Sequence, residues 1–262
     1  MKRKSKVTDS SIPNFMLPLV GFKSRKAAQI AAFFALKSTT PNRGNVEKLK
    51  LIKLIYFSER EFLRRYHLPM LFDEFYSLPH GPICSATLNG IDGKLDASDE
   101  DIWGEFIARN GNVVVAMKRF TRESLDAISN AEMKILKFIW HRFGDMTASQ
   151  LRNYSHENCP EYTEVTEGRI PISYREVMVA LGVKDAEADL IDDKIRDIRR
   201  KESALASRNI TLEKDQSHVE DVIVVSLQEY ARLEECTKNP ARPTPGVLVG
   251  AELLRSLRQS SR

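Results

Sequence analysis

The sequence predicts a mainly α-helical fold with a small β-hairpin, an α+β arrangement in which a compact helical domain precedes a C-terminal extension. Three patterns lead to this prediction. Apolar residues recur at helical spacing over residues 46–66, three hydroxyl residues are each followed three positions later by Glu or Gln, and an Asn-Gly pair lies between two apolar runs. With 262 residues, the chain is long enough for one sizeable core with appendages.

Residues 46–66 are expected to form the helix at the centre of the core. Their apolar side chains fall into two adjacent stripes at helical spacing: Leu51, Ile55, Phe62 and Tyr66, and then Leu49, Ile52, Tyr56 and Leu63. The charged residues, Lys53 among them, lie elsewhere on this helix. A shorter helix over residues 25–37 precedes it, and residues 41–44 are expected to form the turn between the two.

Two later segments are expected to be non-helical. Pro69, Pro79 and Pro82 predict a structured loop, because proline removes a backbone donor and pushes the residue before it out of helical geometry. Further on, Asn110-Gly111 lies between the apolar runs of residues 105–117. This pair accepts the positive φ angles of a tight turn, which predicts a β-hairpin there.

Three capping boxes predict the helices of the middle of the chain. In each box a hydroxyl side chain and an acidic or amide side chain satisfy each other's free amides at the helix start. The boxes are Ser129 with Glu132, Thr147 with Gln150, and Ser173 with Glu176. Gly144 and Gly182 are expected to end the first and third of these helices in a left-handed cap. Leu136, Ile139, Trp140 and Phe143 form the apolar face of the first helix.

Beyond Gly182 the composition changes to a charge-dense segment, residues 185–202, whose acid–base pairs at four-residue spacing favour an exposed helix. Ile191, Ile195, Ile198 and Leu205 share one narrow face, which is more typical of packing than of a dimer seam, with a homo-oligomer as the alternative. A strand over residues 222–225 and a helix over residues 227–235 follow. We therefore divide the chain into a basic N-terminal arm (1–24), a helical domain (25–183), an extension (184–238) and a proline-rich linker with an amphipathic tail (239–262).

Composition and motifs argue against several classes of function. No apolar stretch reaches the roughly 20 residues that a membrane span needs, and the three scattered cysteines fit a reducing cytoplasm better than a disulfide framework. The sequence has no phosphate-binding glycine loop, nucleophile elbow or catalytic histidine spacing, and His156 with Cys159 offers only two potential metal ligands. We expect a cytoplasmic, non-enzymatic protein without a cofactor or a metal.

A DNA-binding function is the main alternative that the residues themselves suggest. The predicted helix that ends at Phe143, the turn after it and the capped helix from Ala148 look like the first half of a winged helix-turn-helix. The net charge of +4 is spread over interleaved positive and negative residues. Carboxylates that phosphate would repel also crowd the expected start of the recognition helix: Glu157, Glu161, Glu164 and Glu167.

Four segments, in the same order and at matching spacing, resemble the Panacea-domain family of SocA-like antitoxins over roughly residues 26–181. Residues 49–57 match a Lys-Leu-x-Lys-Leu-Leu-Tyr-Phe segment, residues 69–74 a Pro-Leu-Phe-Asp-like stretch, and residues 78–83 a run that ends in Gly-Pro-Val. Residues 129–158 match an acid-capped helix, a Gly-x-Met-Thr turn and a Leu-x-x-x-Ser-His run. The chain departs from the family at Leu78 and His80, where aromatic residues are frequent.

The resemblance implies a mainly helical fold with a few short strands, no catalytic residues to carry over, and a toxin encoded alongside this protein as its partner. Operator DNA is a second potential partner, since antitoxins often repress their own operons. The partner-binding residues that the family motif implies are Lys53, Tyr56, Phe57, His80, Gly81 and Pro82. The alternative is that the aromatic pair belongs to the core and that Gly-Pro is an ordinary turn.

The C-terminal region adds a second likeness, since residues 224–234 are similar to the Phd/YefM antitoxins, in which this segment precedes a toxin-wrapping tail. The physics of the tail suits that role independently. An amphipathic segment behind a proline-rich linker is too short to stay helical alone and can fold onto a groove of a partner. The tail residues expected to contact the toxin are Val247, Leu248, Leu253, Leu254 and Leu257.

Overall fold

The structure, a computed structural model, describes residues 21–38 and 44–213. Several sequence predictions lie outside these ranges: most of the N-terminal arm, the turn at residues 41–43, the strand and helix of residues 222–235, and the tail with its five apolar contact residues. Within the described ranges no helix is both long enough and apolar enough to cross a membrane.

The described chain is mainly helical, with two small antiparallel sheets, which confirms the predicted fold class. Its helices are α1 (Ser24–Lys37), α2 (Lys48–Tyr66), α3 (Ser85–Asp92), α4 (Ala97–Phe106), α5 (Asn130–Phe143), α6 (Ala148–Asn158), α7 (Tyr174–Ala180) and α8 (Asp185–Glu213). Its strands are β1 (Asn45–Glu47), β2 (Phe75–Leu78), β3 (Gly81–Cys84), β4 (Ile107–Asn110), β5 (Val113–Ala116) and β6 (Ile170–Ile172). One sheet has the order β1-β5-β4 and the other β3-β2-β6.

Helix α2 is the centre of the core, as its apolar periodicity predicts. It packs against α1, α5, α6 and β3, and its buried residues form a continuous run from Leu51 to Glu59. The helix begins two residues later than predicted, because Asn45–Glu47 form strand β1 against β5. Lys53, which the spacing places off the two apolar stripes, is nevertheless fully buried. A helix surrounded on several sides has no solvent face on which to place every charged residue.

The predicted hairpin at residues 105–117 is confirmed as β4 and β5. Asn110 pairs with Val113, so the two central turn residues are Gly111 and Asn112, one position later than the Asn-Gly pair suggested. Gly111 takes the positive φ, at 59°. A glycine at the first central position supplies this conformation without a steric cost.

The prediction of a loop around Pro79 and Pro82 is partly wrong, because this segment contains a second hairpin. Strands β2 and β3 pair in antiparallel fashion with Leu78 opposite Gly81, so Pro79 and His80 form the turn. Pro82 itself lies in β3, at the edge of its sheet. Proline lacks the ladder donor and is therefore tolerated in an edge strand, which a reading of proline as a simple breaker misses.

All three predicted capping boxes are present and open α5, α6 and α7. The predicted left-handed cap at Gly144 is wrong, since this residue is right-handed with φ −61° and ψ −30°. Glycine is needed there for space, because a Cβ would lie 2.5 Å from the carbonyl oxygen of Trp140 and 2.8 Å from its ring. Gly182 does take a positive φ of 89°, one position after the cap residue Leu181.

Helix α8 extends to Glu213 and is longer than the predicted charged segment. Its first turns pack on the core through Ala188, Ile191 and Ile195, which are buried. The predicted ion pairs at four-residue spacing form, with Arg196 bound to Asp192 and Lys201 bound to Asp197. The isoleucine face is therefore a packing face over this part of the helix.

Candidate functional site

The side chain of Lys53 joins α2 to the start of strand β3. Its Nζ donates a hydrogen bond to the carbonyl oxygen of Pro82 at 2.8 Å, and the ammonium group is fully buried. Burial lowers the pKa of Lys53 from 10.5 to about 7, since a charged amine is disfavoured away from water. A family-motif residue of α2 is thus bound directly to the Gly-Pro motif.

Gly81 is the point at which α2, α6 and the β2–β3 turn meet. Its φ is +91°, and a Cβ there would lie 2.6 Å from Oγ of Ser155, 2.7 Å from Nζ of Lys53 and 3.1 Å from the ring of His156. Both the backbone conformation and the lack of space require glycine. The Nε2 atom of His156 is buried and has no hydrogen-bond partner in the part of the chain that the structure describes.

Tyr56 and Arg60 share one buried carboxylate, that of Glu161. The Tyr56 hydroxyl donates to Oε1 of Glu161 at 2.7 Å, and Nε of Arg60 donates to the same oxygen at 2.7 Å. The Glu161 side chain has no solvent exposure. This network holds the segment after α6 against α2. The ion pair with Arg60 explains why the charged side chain of Glu161 is tolerated inside the protein.

The segment after α6 does not form a recognition helix. Helices α5 and α6 and the turn between them are present, but residues 159–169 contain no helix and lead into β6. Glu161, one of the four glutamates thought to crowd this position, is buried against α2. Only the first half of the predicted helix-turn-helix unit is therefore present.

Phe57 belongs to an aromatic cluster between α2, α5 and α6. Its ring stacks on Phe143 with 4.8 Å between centroids and meets the edge of Tyr154 at 5.6 Å. These rings form one side of an open groove, which we call the α5 groove. The groove is lined by Phe57, Arg60, Glu61, Phe138, Ile139, Arg142, Phe143, Tyr154, Cys159 and Leu181.

The six family-motif residues are brought together, but five of them are buried. Lys53, Tyr56, Phe57, Gly81 and Pro82 lie in the interior, and His80 is the exposed member. Their role in binding a partner stays a prediction. Buried residues offer little contact area to a partner, and of these five only Phe57 lines the α5 groove.

Sequence reasoning did not single out Phe138, Arg142 or Tyr154, which line the groove beside Phe57. The sequence did contain one signal that could have identified this surface. Phe138 lies off the apolar face of α5 that Leu136, Ile139 and Phe143 define, among cationic neighbours. An aromatic residue on the polar side of an amphipathic helix is worth attention, because exposed aromatic residues are frequent in binding surfaces.

The two cysteines among the described residues, Cys84 and Cys159, are buried. Burial raises the pKa of the Cys159 thiol to about 12 and also raises that of Cys84. Both thiols are therefore protonated at neutral pH, which is unfavourable for a nucleophile or a metal ligand. Among the described residues, no group of three or more His, Cys, Asp and Glu side chains is placed to hold a metal ion.

Replacing Lys53 by Met is expected to change how stability depends on pH. The pKa of Lys53 is about 7 in the folded protein and 10.5 as the ordinary value. Between these values the unfolded chain binds more protons than the folded chain, so the free energy of unfolding of the wild type rises with pH. Relative to K53M, the wild type should gain up to about 1.4 kcal/mol per pH unit from about pH 7 to pH 10.

Urea unfolding of the wild type and of K53M across this range measures the difference and cancels groups that the two proteins share. Lys118→Met makes the same substitution at an exposed lysine and is the matched control. A wild-type advantage that stays constant from about pH 7 to pH 10 would show that Lys53 keeps an ordinary pKa.

A family model described as antitoxin SocA-like, Panacea domain matches residues 51–161. The range begins in α2, ends at Glu161 and contains the six partner-binding residues that the family motif implies. It confirms the family resemblance over this part of the chain, whereas the likeness of residues 224–234 to Phd/YefM antitoxins is not confirmed. Neither the curated proteins nor the solved structures yield a match.

Proposed function

We propose, because a family model described as antitoxin SocA-like, Panacea domain matches residues 51–161, that this chain is the antitoxin of a type II toxin–antitoxin system. It neutralises a protein toxin encoded nearby by binding it directly, without catalysis and in the cytoplasm. The family match is the observation that carries the proposal. The network of Tyr56, Arg60 and Glu161 supports it, because it joins the two ends of the matched range into one structural unit.

Co-expression with the product of the adjacent gene tests the proposal in cells. We expect the adjacent gene alone to arrest growth, this chain to restore growth, and the two proteins to co-purify. An adjacent product that is harmless and does not bind would contradict the antitoxin function. Salt-sensitive binding to promoter DNA by the isolated chain, with no effect on growth arrest, would instead favour the DNA-binding alternative.

The C-terminal tail is the second part of the proposal. Residues 240–262 combine prolines with apolar residues and arginines, a composition suited to folding onto a partner surface. Deleting residues 240–262 is expected to weaken toxin binding by at least about tenfold, because the tail contacts are lost while the helical domain keeps its own. Intact binding and full growth rescue by the truncated chain would show that the tail does not contribute.

A further inference from the structure

The exposed side of α5 carries one aromatic residue among cations. Phe138 is 38% exposed, although most large apolar side chains of the core are almost fully buried. Its helix neighbours on the solvent side are cationic or titratable: Lys134, Lys137, His141 and Arg142. The acidic residue of α5, Glu132, is buried and accepts from Nζ of Lys26 at 2.6 Å, so it does not offset this charge.

Arg142 lies at the rim of the α5 groove with its charge uncompensated by an acidic side chain in the described ranges. Its Nη2 donates to the hydroxyl of Tyr154 at 3.0 Å, and its guanidinium lies 5.1 Å from the centroid of the Phe143 ring. Both contacts hold the guanidinium in place, and neither neutralises it. Arg60, on the opposite side, is paired with Glu161 and is already satisfied.

The groove combines an apolar wall with this cationic rim, and the acidic residue of its lining, Glu61, is bound by Arg64 and Arg65. Phe57, Phe143 and Tyr154 pack edge to face or stacked, Leu181 adds an aliphatic contact, and Phe138 lies at the border. The groove is small and open to solvent. An open groove of this kind takes one side chain of a partner more readily than a folded element.

A protein segment suits these features better than a nucleic acid. A base needs an exposed aromatic face for stacking, but the rings of Phe57, Phe143 and Tyr154 pack on one another. Phe138 has the guanidinium of Arg65 over its ring at 4.9 Å. Arginine and aromatic residues around a desolvated pocket are, in contrast, the residue types that dominate the binding energy of protein interfaces.

We propose that the α5 groove is the surface of the helical domain that contacts the toxin, and that it takes an acidic segment with one aromatic or large aliphatic side chain. The apolar side chain enters between Phe138 and Tyr154, and a carboxylate pairs with Arg142. This inference rests on the proposed antitoxin function and specifies where the helical domain contributes to it. It also explains why the motif residue Phe57 is buried, since it forms the wall on which the contact residues rest.

The test compares full-length variants for binding to the product of the adjacent gene. Arg142→Glu reverses the rim charge and is expected to weaken binding by about 10–100-fold, while Phe138→Ser removes the border of the apolar pocket and should cause a similar loss. Arg119→Glu makes the same charge change at an exposed arginine outside the groove and should leave affinity within about twofold. Thermal unfolding of each variant separates a loss of contact from a loss of fold.

The outcomes distinguish this inference from the proposed function. If the wild type binds, and Arg142→Glu and Phe138→Ser weaken this binding while Arg119→Glu does not, the result supports the groove as the contact surface. Wild-type binding that neither groove variant changes overturns the inference and leaves the antitoxin function standing. Lack of wild-type binding overturns both, and loss of binding to duplex DNA in Arg142→Glu would assign the basic face of α5 to nucleic acid.

Discussion

Asp73→Ala is expected to lower the free energy of unfolding by about 3–5 kcal/mol. The Asp73 carboxylate is fully buried and accepts four hydrogen bonds. Oδ1 accepts from the backbone N–H groups of Glu74 and Ala86, both at 2.7 Å. Oδ2 accepts from the N–H of Thr87 at 2.8 Å and from its hydroxyl at 2.6 Å.

The expected loss in the free energy of unfolding is large because Asp73, which lies outside α3 in the sequence, caps the start of this helix. The residue that precedes α3, Cys84, provides no side-chain cap, so Asp73 satisfies the free amides of Ala86 and Thr87. Its removal leaves the buried N–H groups of Ala86 and Thr87 and the buried Thr87 hydroxyl without this partner, and each unsatisfied buried donor costs about 1–3 kcal/mol. Burial raises the pKa of Asp73 to about 6, and these donors act against that rise by stabilising the charged form.

Asp96→Ala is the matched control for this prediction. Asp96 caps α4 by accepting from the N–H of Asp99 at 3.0 Å, but it is exposed, so the released amide finds water. A loss of about 1 kcal/mol is expected there. Urea unfolding followed by circular dichroism compares the two variants, and equal losses would show that Asp73 contributes no more than an ordinary cap.

Gly81→Ala should be the second large change, with a loss of about 3 kcal/mol or more. Its φ of +91° is strained for any residue with a Cβ, and that Cβ would meet Ser155 Oγ at 2.6 Å and Lys53 Nζ at 2.7 Å. The strain contributes roughly 1–2 kcal/mol, and displacement of packed neighbours roughly 1–3 kcal/mol. Lys53 would also have to leave the carbonyl of Pro82, which holds the turn on α2.

Gly182→Ala is the control that separates the cost of backbone strain from the cost of a steric clash. Gly182 has nearly the same φ, +89°, but nothing lies within 4 Å of the position that its Cβ would take. Only the strain of roughly 1–2 kcal/mol should therefore appear. Chemical unfolding of Gly81→Ala and Gly182→Ala measures the free energy of unfolding that each variant loses. A Gly81→Ala loss no larger than that of Gly182→Ala would mean that α6 and the turn do not meet closely at this point.

Local signals account for the parts of the fold that the sequence predicted. The capping boxes at Ser129, Thr147 and Ser173 depend on residues three positions apart, and the hairpin at Gly111 depends on adjacent residues. Features set by distant residues were less accessible. The β2–β3 hairpin was missed because its prolines resemble breakers, and Gly144 is glycine because of the carbonyl and ring of Trp140 and not because of its own φ.

The candidate site shows the same difference between local signals and contacts that distant residues make. The family motif identified residues that meet in the structure, since Lys53 contacts Pro82 and lies beside Gly81. Helical spacing placed Tyr56 on an apolar stripe, but it could not reveal that Lys53 is buried, because this depends on how α5, α6 and the turn pack around α2. Nor could it place Arg142 beside Tyr154, twelve residues later in the chain, since that contact arises only when two helices fold together.

Size-exclusion chromatography of the purified chain mixed with the purified product of the adjacent gene tests the central claim most directly. Direct neutralisation predicts that the two proteins elute together as a stable complex and that the activity of the toxin falls as the complex forms. Separate elution of two folded proteins, with the toxin still active in the presence of excess antitoxin, would contradict neutralisation by direct binding.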